Sequence, residues 1–416
     1  MTLLIFQMAI VLATCLVCGR IALGFGQARV IGEISGGILL GPSVLGRITP
    51  HISARLYPQS SLGSLDVLSN VGLILFLFLI GSELDYEHLR RQKATAAFSS
   101  FMSMVLPFSM AGLAAPLFQE RFSPGSSGRL AFALFLGVSM SITAFPVLKR
   151  ILEERRMQSS SLGATSLMCA AVDDVTAWMI LAVAMTLIPS ESRPVPYAYR
   201  LLWLGAYLFV MLLVIRPLGI WLAKRHERFT LSYELLGIII VLVFVSSAVT
   251  DAIGVHPLFG AFLAGLCFPR VKAWQMALRT RLHLILFLVL LPLFFALTGM
   301  RTRLDLLNDG RTWLWTGLVL LLAVTGKMGG AIIAARWTRN GWRTSLALGA
   351  LLNTRGLVEL IVLNIAYSAH VFSPTLFTML VVMALITTAI TMPILNWLKI
   401  GTTKTTTQDL TLVHIV

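Results

Sequence analysis

The chain is a succession of apolar runs about 20 residues long with only short polar breaks, and a helix of that length is what crosses a bilayer while satisfying its own backbone. This pattern excludes a soluble fold and predicts an all-α polytopic membrane protein. With 57% hydrophobic and 12% charged residues among 416, no stretch remains for a separate soluble domain, so catalysis by an appended cytosolic module is excluded and no enzyme is expected. Apolar length read against charged and Gly/Pro breaks predicts thirteen spans: approximately 3–24, 31–46, 65–82, 94–118, 130–151, 160–188, 199–222, 233–251, 255–269, 281–299, 312–337, 344–369 and 372–398. Residues 1–400 are expected to form one transmembrane unit and 401–416 a short cytoplasmic tail. The second and ninth spans are short and glycine-rich, as tightly packed or partly re-entrant elements would be. The opening MTLLIFQMAIVLATCLVCGR has no basic start and no cleavage site, so it reads as a retained span.

A net charge of +15 would suggest nucleic-acid binding in a soluble protein, but here the bases sit in short loops, where they act as topology signals. Connections after odd-numbered spans hold 21 Lys and Arg, Arg90, Arg91, Lys93 and Lys404 among them, against nine on the other side, including Arg193 and Arg301. That asymmetry places the N-terminus outside and the C-terminus in the cytoplasm, in a plasma (inner) membrane. Cys15, Cys18, Cys169 and Cys267 all fall in apolar stretches and read as small hydrophobes; no cofactor is expected.

A weak internal repeat lays GEISGGILLGP (32–42) over FGAFLAGLCFP (259–269) and LFLIGSELD (77–85) over FFALTGMRTRLD (294–305). The shift is seven spans, and an odd shift inverts the second copy, as in many secondary transporters. The same shift pairs SMSITAFPVLKR (139–150) with LLNTRGLVELIV (351–362), and both are interrupted. Pro146 removes an amide donor, while Asn353, Thr354 and Gly356 bring polar groups and backbone freedom into mid-span. Paired interruptions point to a site built from broken helices whose ends present dipoles to an ion, with Thr143, Pro146, Asn353, Thr354 and Gly356 as its lining.

Acids inside spans are costly and need a partner, a proton or a cavity, and those inside are Glu33, Asp173, Asp174 and Glu359, with Glu83 and Asp85 at a span end. Asp173 and Asp174 point about 100° apart on a helix, so they cannot share one ligand symmetrically and are expected to do different work. One can face a cavity and exchange a proton for a cation while the other meets Lys327; a merely structural ion pair is the plainer alternative. Arg355 and Glu359, four residues apart, suit an intrahelical pair with a gating or scaffold role, and Glu33 suits the start of its short span or a pair across the bundle. His256 and His283 read as interfacial residues. Adjacent acids do not fit an aspartyl protease, and DDVTAW lacks the second acidic pair of a diphosphate site.

Together VIGEISGGILLGPSVLG (30–46), GLILFLFLIGSELD (72–85), SITAFPVLKRIL (141–152), DDVTAWMILA (173–182), HPLFGAFLAG (256–265), LPLFFALTGMRT (291–302) and NTRGLVELIVLNIA (353–366) resemble the second monovalent cation:proton antiporter family, its plant cation/proton exchanger branch and bacterial relatives most of all. The resemblance implies a thirteen-helix antiporter, a homodimer with a dimerisation domain and a mobile core in which two broken helices cross. It matches the family's ion-binding aspartate to Asp174, its preceding acid to Asp173 and that acid's basic partner to Lys327. The substrates it implies are protons and sodium or potassium, with Asp174 the ligand of a monovalent cation. With an end at Val416, the nucleotide-sensing domain of gated potassium efflux systems is not expected. A channel-like efflux path would conduct without a counter-proton, and a non-transporting sensor would work with Asp174 neutral; either finding would displace exchange.

Overall fold

In the computed structural model the described residues are 2–83, 94–124, 128–158, 160–188, 197–225 and 232–401, and all regular structure among them is helical. Asp85, Arg90, Arg91, Lys93, Arg193, Lys404 and the tail beyond Gly401 lie outside them. Nine of the described helices are long and apolar enough to cross a membrane, or ten when Trp342–Leu352 and Leu357–Ser368, bent by 44° at their break, count as one span. This accounts for nine or ten of the thirteen expected spans, and the others correspond to shorter elements. Arg29–Leu40, Arg129–Ser141 and Pro257–Cys267 have only 12, 13 and 11 residues. At 1.5 Å per residue such helices rise roughly 17–20 Å, well short of the ~30 Å hydrocarbon core.

The stretch 270–281 also departs from expectation. Instead of a basic connection it forms the helix Lys272–Ile285, which runs through a π turn at Leu286–Leu290 into Leu291–Arg301. Trp274, Leu278 and Leu282, spaced by four, are buried along one face, and that stripe outweighs the charges between them.

The helices form two packed sets. In one, Arg29–Leu40 lies against Thr2–Gly24 and Leu291–Arg301, and Pro257–Cys267 lies against Gln59–Glu83 and Tyr233–Ile253. In the other, Ala94–Phe122 packs on Gly310–Trp337 and Arg129–Ser141, and Trp342–Leu352 also leans on Gly310–Trp337. Lipid tails are as apolar as leucine, so helices in a bilayer associate by close packing, which favours small residues at the contact. A Cβ on Gly299 would stand 2.8 Å from the Cα of Gly37, and one on Gly265 would stand 2.9 Å from the Cα of Gly81. Gly37 and Gly265 sit on the short element of each sequence copy, Gly81 and Gly299 on the long one. Each short element therefore packs on the long element of the other copy, and the exchange is reciprocal.

Candidate functional site

Both expected interruptions are breaks in the backbone. Arg129–Ser141 ends where Ile142 and Ala144 turn extended, and Phe145–Glu154 begins with Pro146 in its first turn, a place where the missing amide hydrogen has no helical partner to lose. The Pro146 side chain lies outside the described ones. Trp342–Leu352 ends at Asn353, and Leu357–Ser368 starts after Gly356. The two breaks touch: Ala144 N–H donates to the Thr354 carbonyl at 2.9 Å, and the Thr143 hydroxyl stands 2.9 Å from the Leu352 carbonyl. The crossing leaves no room at Gly356, where a Cβ would meet Val147 Cγ2 at 2.8 Å.

A helix that stops in mid-bundle leaves carbonyls without partners, and the partial negative charge at its C-terminus needs a donor. For Arg129–Ser141 the donors are two cations. Arg355 donates from Nη1 to the Ser139 carbonyl and from Nη2 to the Met140 carbonyl, each at 2.7 Å, and Lys327 Nζ donates to the Ser141 carbonyl. The Arg355–Glu359 pair exists at 3.2 Å, but its expected intrahelical character is corrected. Arg355 lies in the break, outside the helix, because its guanidinium is drawn to the carbonyls of the other broken helix. Glu359 keeps one oxygen, Oε2, with no hydrogen-bond partner. Thr388 ties the same break by accepting from Arg355 N–H at 2.9 Å and donating to its carbonyl at 2.8 Å.

Asp173 and Asp174, both fully buried in Ser161–Thr186, have opposite surroundings. Asp173 Oδ2 accepts from Lys327 Nζ at 2.6 Å and lies 2.8 Å from the Thr143 hydroxyl, while Oδ1 accepts from Ser100 at 3.2 Å. The Thr143 hydroxyl has one proton for two acceptors, Asp173 and the Leu352 carbonyl, so it serves one at a time. Among the described residues neither oxygen of Asp174 has a hydrogen-bond partner, nor does Asn353 Oδ1, which is also buried. Among the described residues no group of three or more His, Cys, Asp or Glu side chains could hold a metal ion.

The remaining expected residues lie farther out. Glu33 pairs with Arg29 at 2.9 Å along its short helix. Glu83 is loosely paired with Lys149 at 4.0 Å and Arg279 at 3.8 Å. His256 caps Pro257–Cys267 through Nδ1, 3.4 Å from Leu258 N–H, and His283 stacks on Phe287 at 4.4 Å. Cys15, Cys169 and Cys267 are buried free thiols and Cys18 is half-buried.

Two cavities lie along one seam. The larger, about 460 Å³, is lined by Phe76, Ile80 and Glu83 on one side and Phe145, Lys149 and Leu357 on the other. The smaller, about 220 Å³, is lined farther along the same helices by Asp66, Ser69, Thr298, Arg301 and Asn364. Asp174 lines neither cavity, so the expectation that one acid of the pair faces a cavity finds no support in them. Ser100, Asp66 and Asn364 were missed in the sequence. Asp66 and Arg301 stand at span ends, where polar residues are ordinary, and Asn364 has no spacing that marks it.

The profile of the sodium/hydrogen exchanger transmembrane family matches residues 8–398. The chain is 36% identical over 395 residues to the Na(+)/H(+) antiporter NhaS4 of Synechocystis sp., covering 94% of this chain and 96% of that protein. It is 34% identical to the K(+)/H(+) antiporter 1 of Saccharomyces cerevisiae and 38% identical to the cation/H(+) antiporter 15 of Arabidopsis thaliana, where it spans 46% and 45% of their lengths, about half. Among solved structures it resembles the sodium proton antiporter MjNhaP1 from Methanocaldococcus jannaschii, with TM-score 0.66, 14% identity and 96% of each chain covered, a likeness of fold.

Proposed function

The chain belongs to the sodium/hydrogen exchanger family, and from that premise we propose that it exchanges a monovalent cation, sodium or potassium, for protons across the membrane by alternating access. One observation carries the reading: Asp174 is fully buried with neither carboxylate oxygen hydrogen-bonded, one residue from the Asp173–Lys327 pair. A carboxylate without donors in a membrane interior must take a proton or a cation to satisfy its charge. It cannot hold both. Competition at that one group couples the two fluxes, and the neighbouring break supplies oxygens, among them the unpartnered Asn353 Oδ1.

In this scheme Asp173 and Lys327 hold the ion site in shape and Lys327 exchanges a second proton when the pair opens. Thr143, Pro146, Asn353, Thr354 and Gly356 line the site, and Arg355 and Glu359 brace the crossing. The set containing the broken helices is the moving core, and the set containing Gln59–Glu83 and Leu291–Arg301 is the dimerisation domain of a homodimer. The loop charges support reading the larger cavity, whose lining includes Glu33 and Glu83, as the one on the cytoplasmic side. The inverted repeat supplies the two alternative arrangements, and the reciprocal glycine contacts support it.

The test is transport in proteoliposomes carrying a pH-sensitive dye, with sodium, potassium and lithium titrated separately. Cation-driven proton movement that vanishes in Asp174→Asn is the expected result. Conductance without a counter-proton, or full activity with Asp174 neutral, would overturn it.

A further inference from the structure

The exchange mechanism leaves unused the smaller cavity and the polar cluster that walls it. Asn364 is buried midway along a broken-helix segment, and its side-chain amide bonds through both its oxygen and its nitrogen. Its Oδ1 accepts from Arg301 at 2.8 Å, and its Nδ2 donates to the Thr298 hydroxyl at 2.9 Å and to the Leu360 carbonyl at 2.8 Å. Thr298 can accept because its own proton goes to the Phe294 carbonyl. Arg301 in turn donates to Asp66 at 2.6 Å. Two direct side-chain bonds therefore cross the seam from Leu291–Arg301 to Leu357–Ser368.

The other end of the seam is held differently. There the cavity is twice as large, and the charges facing each other across it, Glu83 and Lys149, stand 4.0 Å apart with about a third of each side chain exposed. One end is pinned by bonds of 2.8 and 2.9 Å from Asn364, the one to Thr298 buried and the one to Arg301 part-buried, while the facing charges at the other end stand 4.0 Å apart.

We propose that Asn364, held by Arg301 and Thr298, is the latch that shuts the seam at the Asp66 end, and that releasing these two bonds is what admits water and cations from that side. Asp66 anchors Arg301 on the static side, so the bond that gives way is the one to Asn364. The latch rests on the alternating-access reading but is a separate claim about positioning residues, and its test reads accessibility instead of transport.

Ser69 lines the smaller cavity and is 3% exposed, so a cysteine there reports whether the cavity opens. In a background with the four native cysteines replaced, Ser69→Cys is labelled with a membrane-impermeant maleimide added to either face of oriented vesicles. With the latch intact, labelling is slow from both faces. Asn364→Ala, and independently the near-isosteric Thr298→Val, are expected to raise the rate from one face by about tenfold or more and to leave the other face unchanged. A cysteine at Ile80 in the larger cavity should at the same time become slower to label. Size-exclusion profiles matching the parent, with thermal midpoints retained in Thr298→Val, exclude misfolding as the cause. Unchanged Ser69→Cys labelling in both variants, or a rise from both faces, would overturn the latch. Neither result bears on exchange at Asp174, which the dye assay measures by itself.

Discussion

Lys327 holds Asp173 at 2.6 Å with neither side chain exposed, while the next residue in the chain, Asp174, accepts no hydrogen bond. Two adjacent acids on one helix thus differ completely in what they touch. One has Lys327, Ser100 and Thr143 within hydrogen-bonding distance, and the other, among the described residues, has no hydrogen-bond partner.

Asp174→Asn is expected to reduce exchange to the level of protein-free liposomes without unfolding the protein. An amide is cheaper to bury than an unpartnered carboxylate, so the thermal midpoint in detergent should hold or rise. A midpoint that falls sharply together with activity would mark Asp174 as a structural residue.

Asp173→Asn or Lys327→Met should each destabilise by about 3–5 kcal/mol, because each strands a buried charge. The double replacement Asp173→Asn with Lys327→Met removes both charges and is expected to recover much of that loss. Thermal melting of the four proteins forms a cycle, and additive losses in the double variant would mean that the two groups do not interact.

Arg355→Lys keeps the charge but not the fork that reaches the Ser139 and Met140 carbonyls together. Leaving one carbonyl unsatisfied should cost about 1–3 kcal/mol and slow transport. Glu359→Gln, which removes a charge while Arg355 keeps both carbonyl bonds, is expected to be milder. The order of the two melting points and transport rates decides whether Arg355 acts through the helix end or through Glu359.

If Lys327 releases a proton when its pair opens, two protons move for one cation and the cycle carries net charge. Each charge is then worth about 2.3 kcal/mol per 100 mV of membrane potential. Sodium uptake into liposomes under an imposed potassium–valinomycin potential should depend on the sign of that potential. A rate indifferent to it would leave Asp174 as the sole exchanging group.

Much of this site is legible in the chain because the membrane makes polar residues conspicuous. Asp173, Asp174, Lys327 and the paired breaks stand out as groups that lipid does not tolerate unpartnered. Arg355 and its pairing with Glu359 are legible from their spacing, whereas its bonds to the Ser139 and Met140 carbonyls are not, because those belong to the other broken helix. Arg301 and Asn364 were not legible. An arginine at a span end looks like a topology signal, and nothing local says that it meets an asparagine 63 positions away.

The amino-acid sequence by itself determined the all-helical membrane class, because a run of apolar residues in lipid has no other way to satisfy its backbone. It also determined that the buried charges must find partners. Which acid finds Lys327 was left open by spacing, since two residues about 100° apart serve equally until the helix is rotated into its neighbours. Packing of Ser161–Thr186 against Ala94–Phe122 and the first broken helix sets that rotation. It brings Asp173 to Lys327, Ser100 and Thr143, and leaves Asp174 without a donor.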